Sequence, residues 1–317
     1  MRLVALLSLV AALAAVSASV STKDAPAGGQ RGSADCSLTS TGLIPLTDMG
    51  TRRYRGYRGG LYPAGRNTPA PKYMRKLQAA SKQIRPINGK IVLLSIGMSN
   101  ATAEFSAFKR SSDHDTLVNP NLVVVDGAQD GFDAVKIVKR PVYWDTADAR
   151  LAAEGVSANQ VQAVWLKESI AGEDRPFPRD MKALQKNLRQ IIKTMRFRYP
   201  KLKLVYLSSR TYGGYAVTSV NPEPAAYDSA YAVRAVIQDR MAGRLKGPLL
   251  AWGPYLWTDG LAGRRDGLEW TCTDVEDDGT HPSKDGVQKV VTMLTTFFKT
   301  DPTAKRWYVA RPPRIRP

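Results

Sequence analysis

The chain has few of the residues that metal and redox chemistry draws on. It contains two histidines, His114 and His281, and two cysteines, Cys36 and Cys272. That supply excludes a zinc ribbon and a disulfide-rich miniprotein and makes a histidine-cluster metal site untenable, so no metal is implied. Any step needing an imidazole must use His114 or His281. Acidic residues are the minority, 28 Asp and Glu against 46 Lys and Arg, for a net charge of +18. Beyond the first residues no segment reaches about 18 consecutive apolar positions, so no later membrane span is expected. No internal repeat is visible.

The 317 residues are 43% hydrophobic, 8% aromatic and 23% charged. This is ordinary globular composition, long enough for one large domain or two modest ones, and it excludes a disordered or fibrous chain. Arg2 precedes an apolar run from Leu3 to Val16, broken only by Ser8. Val16-Ser17-Ala18 then fits a small-x-Ala cleavage site, so residues 1–18 read as a signal peptide and the protein as secreted or periplasmic. In an oxidising compartment Cys36 and Cys272 can pair, and a disulfide between them is expected. Positive charge gathers at Arg52, Arg53, Arg55 and Arg58, among tyrosines and glycines, and in the tail at Lys305, Arg306, Arg311, Arg314 and Arg316. Such patches could meet nucleic acid or an acidic polysaccharide. No nucleic-acid motif accompanies them, so a solvated surface is the expectation and nucleic acid is not an expected partner.

Residues 19–71 are rich in Gly, Ser, Pro, Thr and Arg and read as an N-terminal extension without a core of its own. From residue 72 the texture changes. Short apolar runs begin at Ile91, Leu122, Val161, Leu202 and Leu249, each of the kind expected of strands buried on both faces. Between them Met181, Leu184, Leu188, Ile191, Ile192 and Met195 mark one helical face that Pro200 ends. Tyr227–Gly243 and Lys284–Lys299 read as further helices, with Gly286 weakening the start of the last. Strands alternating with helices predict a three-layer α/β/α sandwich around a mostly parallel five-stranded sheet. The domain is placed at 72–302, with a basic tail at 303–317.

Chemistry is expected at the carboxyl ends of these strands. The first strand runs into Gly97-Met98-Ser99-Asn100, where Ser99 would stand at a helix start whose N–H groups and dipole favour an oxyanion. Near the other end lies Asp278-Gly279-Thr280-His281-Pro282, with Asp278 and His281 close enough to share a hydrogen bond. A carboxylate holding an imidazole that faces a serine is the logic of acyl transfer. His281 must be neutral to accept a proton, so kcat/KM is expected to fall as pH drops through about 6–7. His114, in Ser112-Asp113-His114-Asp115, reads as a surface loop. Trp252, Tyr255, Trp257 and Trp270 read as core rather than a sugar platform, and Tyr212 to Tyr215 as candidates for the cleft mouth.

These blocks resemble the SGNH (GDSL-type) hydrolase superfamily over roughly 90–300. Gly97-Met98-Ser99-Asn100 looks like the Gly-x-Ser-Asn variant of the sialate O-acetylesterase and acetylxylan-esterase branch, and Asp278-x-x-His281 like the terminal block. The resemblance implies a nucleophilic Ser99, a base His281 oriented by Asp278, and oxyanion donors from a glycine after the second strand and an amide after the third. Gly127 and Gly131 both offer the former. After the third strand stands Val164-Trp165-Leu166-Lys167-Glu168-Ser169, where the amide is missing and Lys167 is the substitute donor. The reading is thus a cofactor-free secreted serine esterase acting on small acyl esters, plausibly O-acetyl groups on carbohydrate. Its competitor is a non-catalytic glycan-binding protein on the same fold.

Overall fold

The structure, a computed structural model, describes residues 33–172 and 176–310. The expected signal peptide and Arg311, Arg314 and Arg316 lie outside the described residues. Five apolar runs become the strands of one sheet: β1 Ile91–Gly97, β2 Leu122–Val125, β3 Val161–Lys167, β4 Leu204–Ser208 and β5 Leu249–Trp252. Their order is β2-β1-β3-β4-β5, and every pairing is parallel. Every residue of β1 and of β3 is buried, because helices cover both faces and no position along these strands meets water.

One helical layer holds α1 (Pro71–Gln83), α2 (Ser99–Asp113), α7 (Lys284–Thr300) and the short α8 (Lys305–Tyr308). The other holds α3 (Ala134–Lys139), α4 (Pro141–Ala153), α5 (Arg179–Arg198) and α6 (Ala225–Met241). Helix α5 buries the six apolar residues expected of it. Gly286 does more than weaken α7. A Cβ there would collide with the Asp274 carbonyl, so glycine lets the helix start pass close to the turn at Cys272–Asp274, and the Ser283 hydroxyl caps the helix by accepting from the Gly286 N–H at 3.3 Å.

The packed body is longer than the sequence boundaries suggested. At its start Leu46, Leu61 and Tyr62 enter the main core. The Trp252 indole donates to the Leu61 carbonyl at 2.7 Å, and the Asp259 carboxylate accepts from the N–H of Thr41 and of Gly42. In the arginine-rich stretch a two-stranded hairpin pairs Arg53–Tyr54 with Tyr57–Arg58. Its tyrosines pack on Phe177 and Tyr231, while Arg52, Arg53, Arg55 and Arg58 face solvent. At the other end Ala304, Trp307 and Tyr308 are buried, so the tail proper begins after the core's last aromatic pair, not at 303. Trp252, Tyr255, Trp257 and Trp270 are all core. Among the described residues no helix is long and apolar enough to cross a membrane.

Cys36 and Cys272 are joined, with Cα atoms 5.5 Å apart and a separation of 236 positions in sequence. The bond closes a very long loop of the unfolded chain and fastens the N-terminal segment to the turn that precedes the Asp278 loop. Replacing both cysteines by serine is expected to remove about 2–4 kcal/mol of stability. Chemical denaturation of the variant against the oxidised parent would measure it, and equal midpoints would contradict it.

Candidate active site

Strand β1 lies where the strand order reverses, between β2 and β3, and the chain leaves it straight into α2. In open parallel sheets such a reversal opens a crevice at the carboxyl ends. Ser99 is the first residue of α2. Gly97 permits the tight exit: a Cβ there would strike the Ala101 side chain and stand 2.6 Å from the Lys167 carbonyl. The Tyr143 hydroxyl holds the same glycine, accepting from its N–H at 2.9 Å. Asp126, at the end of β2, anchors the helix through the hydroxyls of Thr102 and of Ser106, and it also accepts from Ser95 at 2.5 Å.

The Ser99 hydroxyl lies 2.8 Å from His281 Nε2. His281 Nδ1 lies 2.5 Å from Asp278 Oδ2. The other carboxylate oxygen accepts from the backbone N–H of Thr280 and of His281, each at 2.9 Å. Burial alone would raise the Asp278 pKa, but these hydrogen bonds outweigh it and hold the carboxyl below its ordinary value of 3.8. Asp278 therefore stays ionised and fixes the proton on Nδ1, leaving Nε2 to accept from serine. Ser99 and His281 are partly exposed, so a solute can reach them.

The turn carrying Asp278 and His281 is clamped from several sides. Gly279 has φ +66°, and a side chain there would run into the Tyr215 carbonyl. The Val217 N–H donates to the Asp278 carbonyl at 3.2 Å, and the Thr280 hydroxyl donates to the Val220 carbonyl at 3.2 Å. The buried Asn100 amide donates to the Thr280 carbonyl at 2.8 Å. The residue after the nucleophile thus ties the two halves of the site together. Tyr212 and Tyr215 are buried and bond the Leu38 and Trp270 carbonyls, so they brace this region without lining a mouth.

The expected oxyanion donors fare unevenly. The Gly127 N–H is already given to the Ser95 hydroxyl at 3.0 Å, which takes it out of the donor set in this arrangement. Gly131 is exposed in a left-handed turn at φ +73°, and its carbonyl accepts from Lys136 at 2.7 Å. Lys167 is fully buried and donates to both oxygens of Glu104, at 2.5 and 2.7 Å. Burial draws its ammonium down to about 8 in spite of that partner. Its main engagement is with α2, not with the crevice.

Glu168 behaves differently from a surface carboxylate. Burial pushes its carboxyl well above the usual range, which favours its protonated form. One oxygen accepts from the Ser169 N–H at 2.9 Å, and the other, Oε1, has no partner. A neutral carboxyl donates as well as accepts, which an ionised one cannot do. Arg210, fully buried beyond β4, interacts electrostatically with Glu104, Glu168 and Asp278 and has one unpartnered nitrogen, Nη1. Neither Arg210 nor Glu104 was identified from sequence. A charged side chain in a single sequence reads as solvent-facing unless its neighbours are known. His114 ends α2, exposed, with Nδ1 2.7 Å from the Arg110 carbonyl. Among the described residues no group of three His, Cys, Asp or Glu side chains is placed to hold a metal ion.

Asp228, in the first turn of α6, is buried beside the Tyr54 hydroxyl, and burial raises its pKa from 3.8 to about 7. The folded state therefore prefers its protonated form. The stability it contributes is present below its ordinary pKa and is lost as pH rises through about 7. Asp228→Asn has no proton to lose, so the Tm of the variant minus that of the parent should grow between pH 4 and 7 and then level off. Parallel Tm profiles would contradict the assignment.

No protein-family model and no curated protein matches the chain. Among solved structures it is similar to a GDSL-like lipase from Bacteroides thetaiotaomicron, 10% identical, with a TM-score of 0.40 over 71% of this chain and 95% of that one. It is also similar to the periplasmic domain of a lipopolysaccharide acetyltransferase from Salmonella ser. Paratyphi A, 13% identical, with a TM-score of 0.39 over 71% of this chain and 94% of that one. Likenesses this distant say nothing about the activity of this chain, which must be read from its own side chains.

Proposed function

We propose that the protein is a serine ester hydrolase of the SGNH type, exported from the cell and acting on small acyl esters, O-acetyl groups on carbohydrate among them. The observation that carries the reading is the unbroken chain Ser99 Oγ, His281 Nε2, His281 Nδ1, Asp278 Oδ2, with each link at hydrogen-bond distance. Ser99 Oγ bonds to the acyl carbon while its proton passes to His281. The ester carbon–oxygen bond breaks, and the alcohol leaves with that proton. Water then attacks the acyl-serine, giving one proton to His281, which returns it to Ser99 Oγ as the acyl–oxygen bond breaks and the acid departs. A second alcohol in place of water would make the same steps an acyl transfer. The Ser99 N–H at the start of α2 faces the developing oxyanion with the helix dipole behind it. The Cys36–Cys272 bond supports export, because such bonds persist in oxidising compartments.

A fluorophosphonate probe should label Ser99 in the parent and not in Ser99→Ala, and an ester panel should favour acetyl over long acyl chains. Folded parent protein that takes no label would leave a binding protein on this fold. Glu168, as a neutral acid, stands in for the missing amide donor. Glu168→Gln should then keep most of kcat, and Glu168→Ala should lower it roughly 10²-fold, the usual cost of one oxyanion donor. Equal kcat in the two variants would remove Glu168 from that role.

A further inference from the structure

A cavity of about 360 Å³ lies beside the catalytic turn, a size typical of small-molecule sites. Its wall includes Ile170, Phe177, Asn221, Pro222, Glu223 and Asp228. The segment forming that wall is bonded to the catalytic turn, through the Thr280 hydroxyl to the Val220 carbonyl and through the Val217 N–H to the Asp278 carbonyl. On another side Ile170 follows Ser169, whose hydroxyl lies 3.5 Å from the sulfur of Met98, the neighbour of Ser99.

Two wall residues carry polar atoms that find no partner among the described residues. Asn221 is 4% exposed and its Nδ2 has no partner, while Asp228 is 2% exposed and its Oδ1 has none. One is a donor and the other belongs to a carboxyl. Buried polar atoms are rarely left unpaired, so this pair is a place where an outside group can complete the bonding. Asn221 also sits at φ +57°, a backbone conformation few side chains adopt, and such strain is concentrated at functional positions.

The rest of the wall selects the ligand. Phe177, Pro222 and Ile170 give apolar surface, and the polar groups are amide, carboxyl and hydroxyl with the Arg55 guanidinium beside them, the mixture that a pyranose ring with its C–H face and hydroxyl edge matches. Glu223 is held by the N–H groups of Gly213, Trp257 and Tyr227, whereas burial raises Asp228 to about 7, so that it holds a proton part of the time and can donate to a hydroxyl as well as accept from one.

We propose that this cavity binds the sugar ring of the ester's alcohol portion, a neutral pyranoside, with Asn221 and Asp228 as its polar contacts and Phe177 as its apolar face. The inference rests on the esterase reading for the word ester, and it is tested by binding, which does not depend on turnover. The probe is an O-acetylated methyl glucopyranoside, titrated into Ser99→Ala protein and followed by NMR. The Asn221 side-chain amide peaks, assigned from triple-resonance and through-space spectra of the Ser99→Ala protein itself, should shift on titration. Asp228→Asn or Asn221→Asp in the Ser99→Ala background should raise the Kd at least tenfold. Unmoved Asn221 peaks would overturn the proposal even if neither double variant folds, as would an unchanged Kd in both double variants. Labelling of Ser99 in the parent together with unmoved Asn221 peaks would sink this inference and leave the esterase standing. The reverse pair of results would do the opposite.

Discussion

Ser99→Ala and His281→Ala are each expected to lower kcat on an activated acetyl ester by roughly 10⁶-fold, and the double variant to be little worse than either. The non-additivity follows from the geometry. The hydroxyl is a weak nucleophile without the imidazole 2.8 Å away, and the imidazole has no proton to take without the hydroxyl. Asp278→Ala should cost less, roughly 10⁴-fold, because the ring keeps its chemistry and loses only its orientation and the partner for its Nδ1 proton. Steady-state rates for the single and double variants decide the matter. Full activity in His281→Ala, or loss of activity in His114→Ala, would place the base elsewhere. The second outcome is hard to reconcile with His114 at the exposed end of α2.

Lys167→Met is expected to cost about 3–5 kcal/mol of stability, since it leaves the buried carboxylate of Glu104 without its counter-charge. For a chain of this size that is roughly 10 °C or more in Tm. Pairing it with Glu104→Gln should restore most of the loss, because two neutral groups need no such partner. Thermal melts of the two single variants and the double test both halves. A double variant less stable than Lys167→Met alone would mean the ion pair is not what holds β3 against α2.

The backbone plan was legible because burial on both faces leaves an unmistakable mark. Ile91–Ile96 and Val161–Leu166 are nearly unbroken apolar runs, and only a central parallel strand has use for them. The pair Asp278 and His281 was legible for a local reason, since a three-residue spacing on a glycine turn brings them together whatever the rest of the chain does. Ser99 was legible as the residue leaving the first strand. Hidden from sequence were the partnerships made across the fold. Glu104 and Lys167 are 63 residues apart, and each looks solvated by itself. Lys167 does carry a faint signal, as a lysine extending a strand whose other residues are all apolar or buried. Gly127 looked free to donate because the claim of Ser95 on its N–H comes from 32 residues away. The core residues after 302 were missed because Trp307 and Tyr308 are set among Lys305, Arg306 and Arg311, where charge masks an apolar pair.

The distance in sequence between nucleophile and base also sets a timetable. Ser99 and His281 are 182 residues apart, so the serine is synthesised roughly 10–40 s before the histidine that activates it. Throughout that interval the nascent chain has its first strands and an inert hydroxyl. A polypeptide stalled or clipped before His281 would carry the Ser99 hydroxyl without its base, so acyl transfer by the proposed mechanism would wait until that residue is made.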